Sequence, residues 1–164
     1  MGIDIDTAVR ELTDRAAITD VLHIYARSVD ERDFTAAGAV FTTDCLAEYG
    51  INDTEILRSS AAVVEWLTRQ VGQSETSHHI SNVQIQFSDT DHADATSYVY
   101  AWHNIPGAPV EPVVMARYVD TFARTSGGWR IAHRRMLAHG LVGFPEGIIR
   151  PLSRRPGGEP EPGA

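Results

Sequence analysis

An aspartate and a histidine are the residues of this 164-residue chain best suited to acid-base chemistry. Asp30 falls at the end of a long helical pattern, and His78 falls at the start of a later strand-like run. A carboxylate that accepts a hydrogen bond from one imidazole nitrogen fixes the tautomer and leaves the other nitrogen free as a base. Each residue also has a plainer interpretation, Asp30 as a solvated helix-end residue and His78 as a polar strand residue.

His79, the neighbour of His78, is an alternative base. Side chains alternate between the two faces of a strand. Strict alternation groups His79 with the apolar residues Val83 and Ile85, and His78 with the polar Asn82. His78 can therefore face the interior only if a bulge or a bend of the sheet intervenes.

Three helices are predicted to position these residues. Apolar residues at three- and four-residue steps predict a long helix from Asp6 to about Asp30. Asp33 can cap a short second helix over residues 34–41. Ser59 or Ser60 can cap a third helix, which Gly72 ends.

The rest of the ordered chain is predicted to be β-sheet. A first strand covers residues 43–51, between the second and third helices, and alternating apolar patterns separated by turn residues predict four more runs, at residues 77–88, 93–104, 113–125 and 128–140. The order α-α-β-α-β-β-β-β predicts an α+β domain, in which a curved, mostly antiparallel sheet packs against three helices and leaves one apolar pocket.

Four segments carry a family resemblance: DRAAITDVLHIYARSVDERDF, FTTDCLAEYG, TSHHISN and GGWRIAHRRM. Together they resemble the SnoaL-like branch of the superfamily that contains ketosteroid isomerase, scytalone dehydratase and the dehydrochlorinase of hexachlorocyclohexane breakdown. The resemblance covers about residues 10–140 and implies a cone-shaped fold. We expect one domain over residues 1–145 and a C-terminal extension over residues 146–164, of which the Gly- and Pro-rich residues 156–164 are expected to be disordered.

The resemblance also implies roles for four residues. Asp30 and His78 occupy the positions of the Asp and His that the dehydratase and the dehydrochlorinase share. Tyr49, placed on the first strand, is similar to a scytalone dehydratase tyrosine that polarises the substrate carbonyl. His103 is similar to a second pocket histidine that donates a hydrogen bond to a leaving group. As plainer alternatives, Tyr49 is an ordinary strand aromatic and His103 a surface residue at a strand end.

Departures from the family pattern argue against particular substrates. Val29 replaces a tyrosine beside the catalytic aspartate of scytalone dehydratase, and Ala116 and Tyr118 replace its serine and asparagine. Scytalone is therefore a poor candidate. Ketosteroid isomerase keeps its base aspartate where this chain has Tyr49, so steroid isomerisation by that mechanism also fits badly.

Further side chains are expected around the substrate or on the outer face of the sheet. The expected substrate-binding residues are Tyr25, Trp66, Tyr118 and Arg134. Because Arg134 and Arg135 are adjacent on one strand, at most one of them can point inward. Four aromatic residues are expected to form a dimer face on the outside of the sheet: Tyr98, Tyr100, Tyr118 and Trp129.

Composition and motifs exclude several other classes of protein. The net charge is −8 without a basic stripe, so nucleic acid is not an expected partner. The single cysteine, Cys45, allows no internal disulfide and no multi-cysteine zinc site. The histidines show no metal-ligand spacing, and neither a phosphate-binding glycine loop nor a nucleophile elbow is present, so no metal or cofactor is expected.

The sequence favours a cofactor-independent lyase or isomerase that acts on a small apolar, cyclic molecule by His-Asp acid-base catalysis. Dehydration, dehydrohalogenation, double-bond shift and ring closure all fit this chemistry. The alternative is a non-catalytic ligand carrier or accessory subunit with the same fold. A homo-oligomer, dimer or trimer, is expected. The chain lacks a signal-peptide pattern and an apolar stretch of about 20 residues, so no membrane association and a cytoplasmic location are expected.

Overall fold

Three helices pack on a six-stranded sheet in the computed structural model, which describes residues 4–50 and 56–144. Helix α1 (Ile5–Asp30) begins at the N-cap Asp4, whose carboxylate accepts from the backbone N–H of Asp6. The buried residues of α1 start at Ile18, while Val9 and Leu12 in its first turns are exposed. Only the second half of the predicted apolar stripe therefore belongs to the core.

The two shorter helices begin at the caps that the sequence predicts. Helix α2 (Phe34–Ala39) starts where Asp33 Oδ1 accepts from the N–H of Ala36 at 2.9 Å. Helix α3 (Ser60–Val71) starts where Ser59 Oγ accepts from the N–H of Ala62 at 3.1 Å, and it ends at Gly72. Each side chain replaces a missing intrahelical acceptor, which is why the helix begins there.

The strands are β1 (Phe41–Glu48), β2 (Ile56–Leu57), β3 (Glu75–Phe87), β4 (His92–Asn104), β5 (Val113–Thr125) and β6 (Gly128–Val142). Their order in the sheet is β2-β1-β6-β5-β4-β3, and β1 and β6 form the parallel pair in an otherwise antiparallel sheet. The curved, unclosed sheet confirms the predicted α+β cone. The two-residue strand β2 was not predicted.

Strand β3 contains the bulge that the placement of His78 requires. Ser81 pairs with Tyr98 and Gln84 pairs with Thr96, so β3 has one residue more than β4 between these two pairs. Asn82 lies in this bulge with a left-handed backbone, φ 51°. The extra residue reverses the alternation of side chains along β3. Before the bulge, His78 and Ile80 lie on the inner face, whereas after it the inner face carries Val83.

Cross-strand pairing corrects the predicted outer face of the sheet. Tyr98 and Tyr100 are exposed there, but Tyr118 and Trp129 are buried in the core. Tyr118 pairs with Ser97, an inward-facing residue of β4, and directly paired residues share a face. Trp129 lies against Phe87 and donates its indole N–H to Asp14 of α1. The predicted dimer face therefore retains two of its four aromatic residues.

The C-terminal extension lies outside the described residues, as do the predicted disorder of residues 156–164 and the boundary near residue 145. No helix among residues 4–50 and 56–144 is long and apolar enough to cross a membrane.

Candidate active site

Asp30 and His78 meet where the end of α1 packs on the start of β3. Asp30 Oδ1 accepts from His78 Nδ1 at 2.6 Å and from Thr76 Oγ1 at 2.8 Å. Asp30 Oδ2 accepts from the backbone N–H of His78 at 2.9 Å. The carboxylate thus assigns the proton to Nδ1, and Nε2 remains as the ring nitrogen that can accept a proton.

The hydrogen bonds of Asp30 favour its charged form. Burial alone would raise the pKa of Asp30, but the side-chain and backbone N–H groups of His78 and the hydroxyl of Thr76 outweigh it and hold the pKa below its usual range. Asp30 is therefore an anion at neutral pH and can stabilise a positive charge on His78.

The turn after α1 also ties the two elements of the dyad together. Arg32 has a left-handed backbone, φ 61°, and its Nε donates to the carbonyl oxygen of Ser74 at 3.1 Å. Ser74 lies immediately before β3. A bond between the residues that follow Asp30 and those that precede Thr76 limits relative movement of α1 and β3 at the dyad.

A cleft of about 400 Å³ opens beside the dyad, between α1 and the edge strand β3. Its α1 side is formed by residues at i, i+3, i+4 and i+7, which share one helix face. The lining residues are His23, Ala26, Arg27, Asp30, Glu31, His78 and Ile80. The cleft combines an apolar floor with charged groups at its rim.

His103 is the second histidine near the dyad. It lies on β4 opposite Thr76, and its ring centroid is 5.9 Å from that of His78. On its other side the ring contacts Phe144, also at 5.9 Å. Burial and the neighbouring His78 lower the pKa of His103, so its ring is neutral at physiological pH. Its Nδ1 is buried without a hydrogen-bond partner among the described residues.

The remaining predicted residues form a separate, buried aromatic cluster. Tyr25 and Tyr49 share a hydrogen bond of 2.8 Å between their hydroxyl groups, and Tyr49 stacks on Trp66 with the ring centroids 4.4 Å apart. Burial raises the pKa of Tyr25, Tyr49 and Tyr118, so all three hydroxyls stay protonated. Tyr49 lies one residue beyond β1 rather than within it.

Arg134 is fully buried inside this cluster. Its Nε and Nη2 donate to the two carboxylate oxygens of Asp120 at 2.8 and 2.6 Å. Its guanidinium carbon lies 4.0 Å from the ring centroid of Tyr118 and 4.5 Å from that of Tyr25. Although burial opposes the charge, Asp120 holds the pKa of Arg134 well above its usual range. Arg135, next to it, is partly exposed and points outward.

The eight predicted residues thus fall into two groups. Asp30 and His78 line the cleft, with His103 in contact behind them, while the buried cluster lines no part of the cleft. Sequence reasoning missed Thr76 and Phe144. Thr76 could have been found, because it lies two residues before His78 and so shares its strand face. Phe144 lies beyond the last predicted strand and belongs to no alternating apolar pattern, so nothing in the sequence marks it.

A second, wider pocket of about 930 Å³ lies between α2, the start of β1 and the start of α3, where it also reaches Thr125 and Arg130 beside the β5–β6 turn, away from the dyad. Threonine and serine side chains form much of its lining, together with Asp44 and Arg130. It contains no histidine. Among the described residues, no group of three His, Cys, Asp or Glu side chains is arranged to hold a metal ion.

The chain belongs to the SnoaL-like domain family, whose model matches residues 10–135. An uncharacterized protein of Mycobacterium tuberculosis (strain H37Rv) is 28% identical over 135 residues, which cover 77% of this chain and 86% of that relative. These findings confirm the resemblance that the four sequence segments indicate.

Solved structures show the same fold. A candidate scytalone dehydratase of Novosphingobium aromaticivorans matches with a TM-score of 0.82 at 23% identity, over 90% of this chain and 99% of that one. Hexachlorocyclohexane dehydrochlorinase (LinA type 3) of Novosphingobium barchaimii matches with a TM-score of 0.74 at 16% identity, over 82% of this chain and 92% of that one. The chain therefore shares its fold with a candidate dehydratase and with a dehydrochlorinase.

Proposed function

We propose that the protein is a cofactor-independent lyase or isomerase that acts on a small, largely apolar cyclic molecule. The observation that supports this function is the 2.6 Å contact between His78 Nδ1 and Asp30 Oδ1 beside the 400 Å³ cleft. A His-carboxylate pair open to a cleft of this size is suited to removing a proton from a bound molecule.

In the proposed reaction, His78 Nε2 takes a carbon-bound proton from the substrate. Asp30 stabilises the imidazolium that forms, and the electron pair of the broken C–H bond forms a double bond as a leaving group departs. His103, whose neutral ring contacts that of His78, donates a hydrogen bond to the leaving group. Acid-base help of this kind accelerates a reaction by on the order of 10²- to 10⁴-fold.

The buried cluster lines no part of the cleft as the structure describes it, so we propose that it binds the far end of the substrate only when its side chains move apart. Tyr49 would steady negative charge on a substrate oxygen, and Tyr25, Trp66, Tyr118 and Arg134 would contact the ring. Arg134 Nη1 supports this role, because it is buried without a hydrogen-bond partner among the described residues. Tyr49→Phe keeps the ring and removes the hydroxyl, so it should weaken turnover of substrates that carry a carbonyl group.

The test is proton removal from small cyclic carbon acids. The first probe is hexachlorocyclohexane, whose turnover is measured as chloride release. The second is a cyclic β-hydroxyketone, whose dehydration is measured as enone absorbance. The third is a nitrobenzisoxazole, whose deprotonation breaks its N–O bond and yields a coloured phenolate. We expect wild-type protein to accelerate at least one of these reactions and His78→Ala to abolish the acceleration. Equal rates for both proteins on every probe would contradict the proposed function.

A ligand carrier or accessory subunit is the second candidate. The packing of Tyr25, Tyr49, Trp66 and Arg134 in the interior favours it, because side chains already fill that part of the cone. Saturable binding of the same probes without turnover would support this alternative.

A further inference from the structure

Asp30 uses three donors, and one of them is not part of the His-Asp pair. Thr76 Oγ1 donates to the same oxygen, Oδ1, that accepts from His78 Nδ1. Thr76 and His78 are two residues apart on β3 and share a strand face, so the strand presents both donors to one carboxylate. The backbone N–H of His78 holds Oδ2, and Thr76 adds a second donor at Oδ1, the oxygen that His78 Nδ1 contacts, so Thr76 further limits rotation of the Asp30 carboxylate.

We propose that Thr76 is a positioning residue that keeps the Asp30 carboxylate aimed at His78 and helps to stabilise its charged form. This inference rests on the proposed function for its effect on turnover, but the contact can be tested without any substrate. Thr76 does not line the cleft, so it acts through Asp30 rather than on the substrate.

The effect of Thr76 must be separated from that of the other charged and titratable groups around Asp30. The titratable neighbour of Asp30 on β3 is His78, and the one on β4 is His103. On α1 the groups that share the cleft are His23, Arg27 and Glu31. None of them is altered when Thr76 is replaced, so a change in the titration of Asp30 reports the loss of the hydroxyl.

Thr76→Val removes the hydroxyl and keeps the β-branched shape that suits a strand. Because one donor to the charged form is lost, the pKa of Asp30 should rise by roughly half a unit to one unit. The measurement is the carboxyl ¹³C chemical shift of Asp30 against pH in the ligand-free protein. Thr76→Ser keeps the donor and should titrate like wild type.

Thr121→Val is the matched control. Thr121 Oγ1 also donates to an aspartate, Asp94 Oδ1, at 3.2 Å, but on β5 and away from the dyad. This variant should leave the pKa of Asp30 unchanged. If Thr76→Val does not fold, Thr76→Ala replaces it in the same comparison.

Turnover of the nitrobenzisoxazole gives the second measurement. Thr76→Val should lower kcat/KM by about tenfold, with KM nearly unchanged, and Thr76→Ser should restore the wild-type value. An unchanged Asp30 titration in Thr76→Val, or the same change in Thr121→Val, would overturn the proposal. If the Asp30 pKa rises while wild-type protein shows no turnover, the Thr76 contact is supported and the proposed function fails.

Discussion

Two acid-base pairs in this protein are suited to different tasks because their burial differs. The Asp120 and Arg134 side chains are 1% and 0% exposed, and their two hydrogen bonds close the pair to water. The Asp30 side chain retains 26% exposure, and its partner His78 lines the cleft. The first pair stabilises the core, whereas the second can exchange protons with a ligand.

Asp120→Ala should therefore destabilise the protein strongly. The change leaves the charge of Arg134 buried without its partner, which costs about 3–5 kcal/mol. The measurement is the free energy of unfolding in urea. Glu65→Ala, which breaks the exposed pair of Glu65 with Arg69, is the control and should change stability by less than about 0.5 kcal/mol. Equal effects of the two variants would contradict the structural role of the buried pair.

The helix boundaries could be predicted from the sequence, but the faces of the strands could not. Asp33, Ser59 and Gly72 lie at the ends of helices because their local chemistry caps or stops a helix. The face of His78 depends instead on a bulge four residues further along β3, and that of Tyr118 depends on its pairing with Ser97. Both side-chain orientations are set by the pairing of residues between strands, and this pairing cannot be inferred from a single sequence.

The bulge of β3 gives a prediction at this scale. Asn82 tolerates a positive φ, whereas a β-branched side chain does not. Asn82→Val should cost about 1–3 kcal/mol and lower the melting temperature, while Asn82→Gly should stay close to wild type. Circular dichroism melting curves of the two variants measure the difference. A Val variant as stable as the Gly variant would show that the bulge does not require this backbone.

The outer surface of the whole molecule carries apolar side chains that a monomer would leave in water. Tyr98, Tyr100 and Met115 are exposed on adjacent strands, and these three residues form one patch on the outer sheet face. Tyr98 and Tyr100 share one face of β4, and Tyr100 pairs with Met115 on β5, so the three side chains are neighbours. Exposed apolar patches of this kind are typical of protein interfaces.

We therefore expect a homo-oligomer in solution. At micromolar concentration, light scattering should give a mass of at least twice the 18.0 kDa of one chain. Replacing Tyr98 and Tyr100 together by Arg should lower the mass, because charges on a buried interface are costly. The control is replacement of exposed Leu12 on α1 by Arg, which leaves the sheet face unchanged. A wild-type mass near 18.0 kDa would contradict the prediction.

The fold family could be predicted from the sequence because its four segments span most of the domain, but the substrate could not. The departures at Val29, Ala116 and Tyr118 argue against scytalone as the substrate but do not indicate another one. In the structure, Val29, Ala116 and Tyr118 are all buried. Because the substrate is not identified, the most direct test addresses the Asp30–His78 pair itself.

That test is turnover of the nitrobenzisoxazole by wild type and Asp30→Asn, with binding of the same compound measured in parallel. The amide matches the carboxylate in size, so affinity should stay within a few-fold, while turnover should fall by about 10²-fold or more because the imidazolium loses its countercharge. His78→Ala and the double variant should lose about as much as Asp30→Asn, since the two residues act as one unit. His79 lies on the outer face of the sheet, so His79→Ala should match wild type. Wild-type turnover in Asp30→Asn, or its loss in His79→Ala alone, would contradict catalysis by the Asp30–His78 pair.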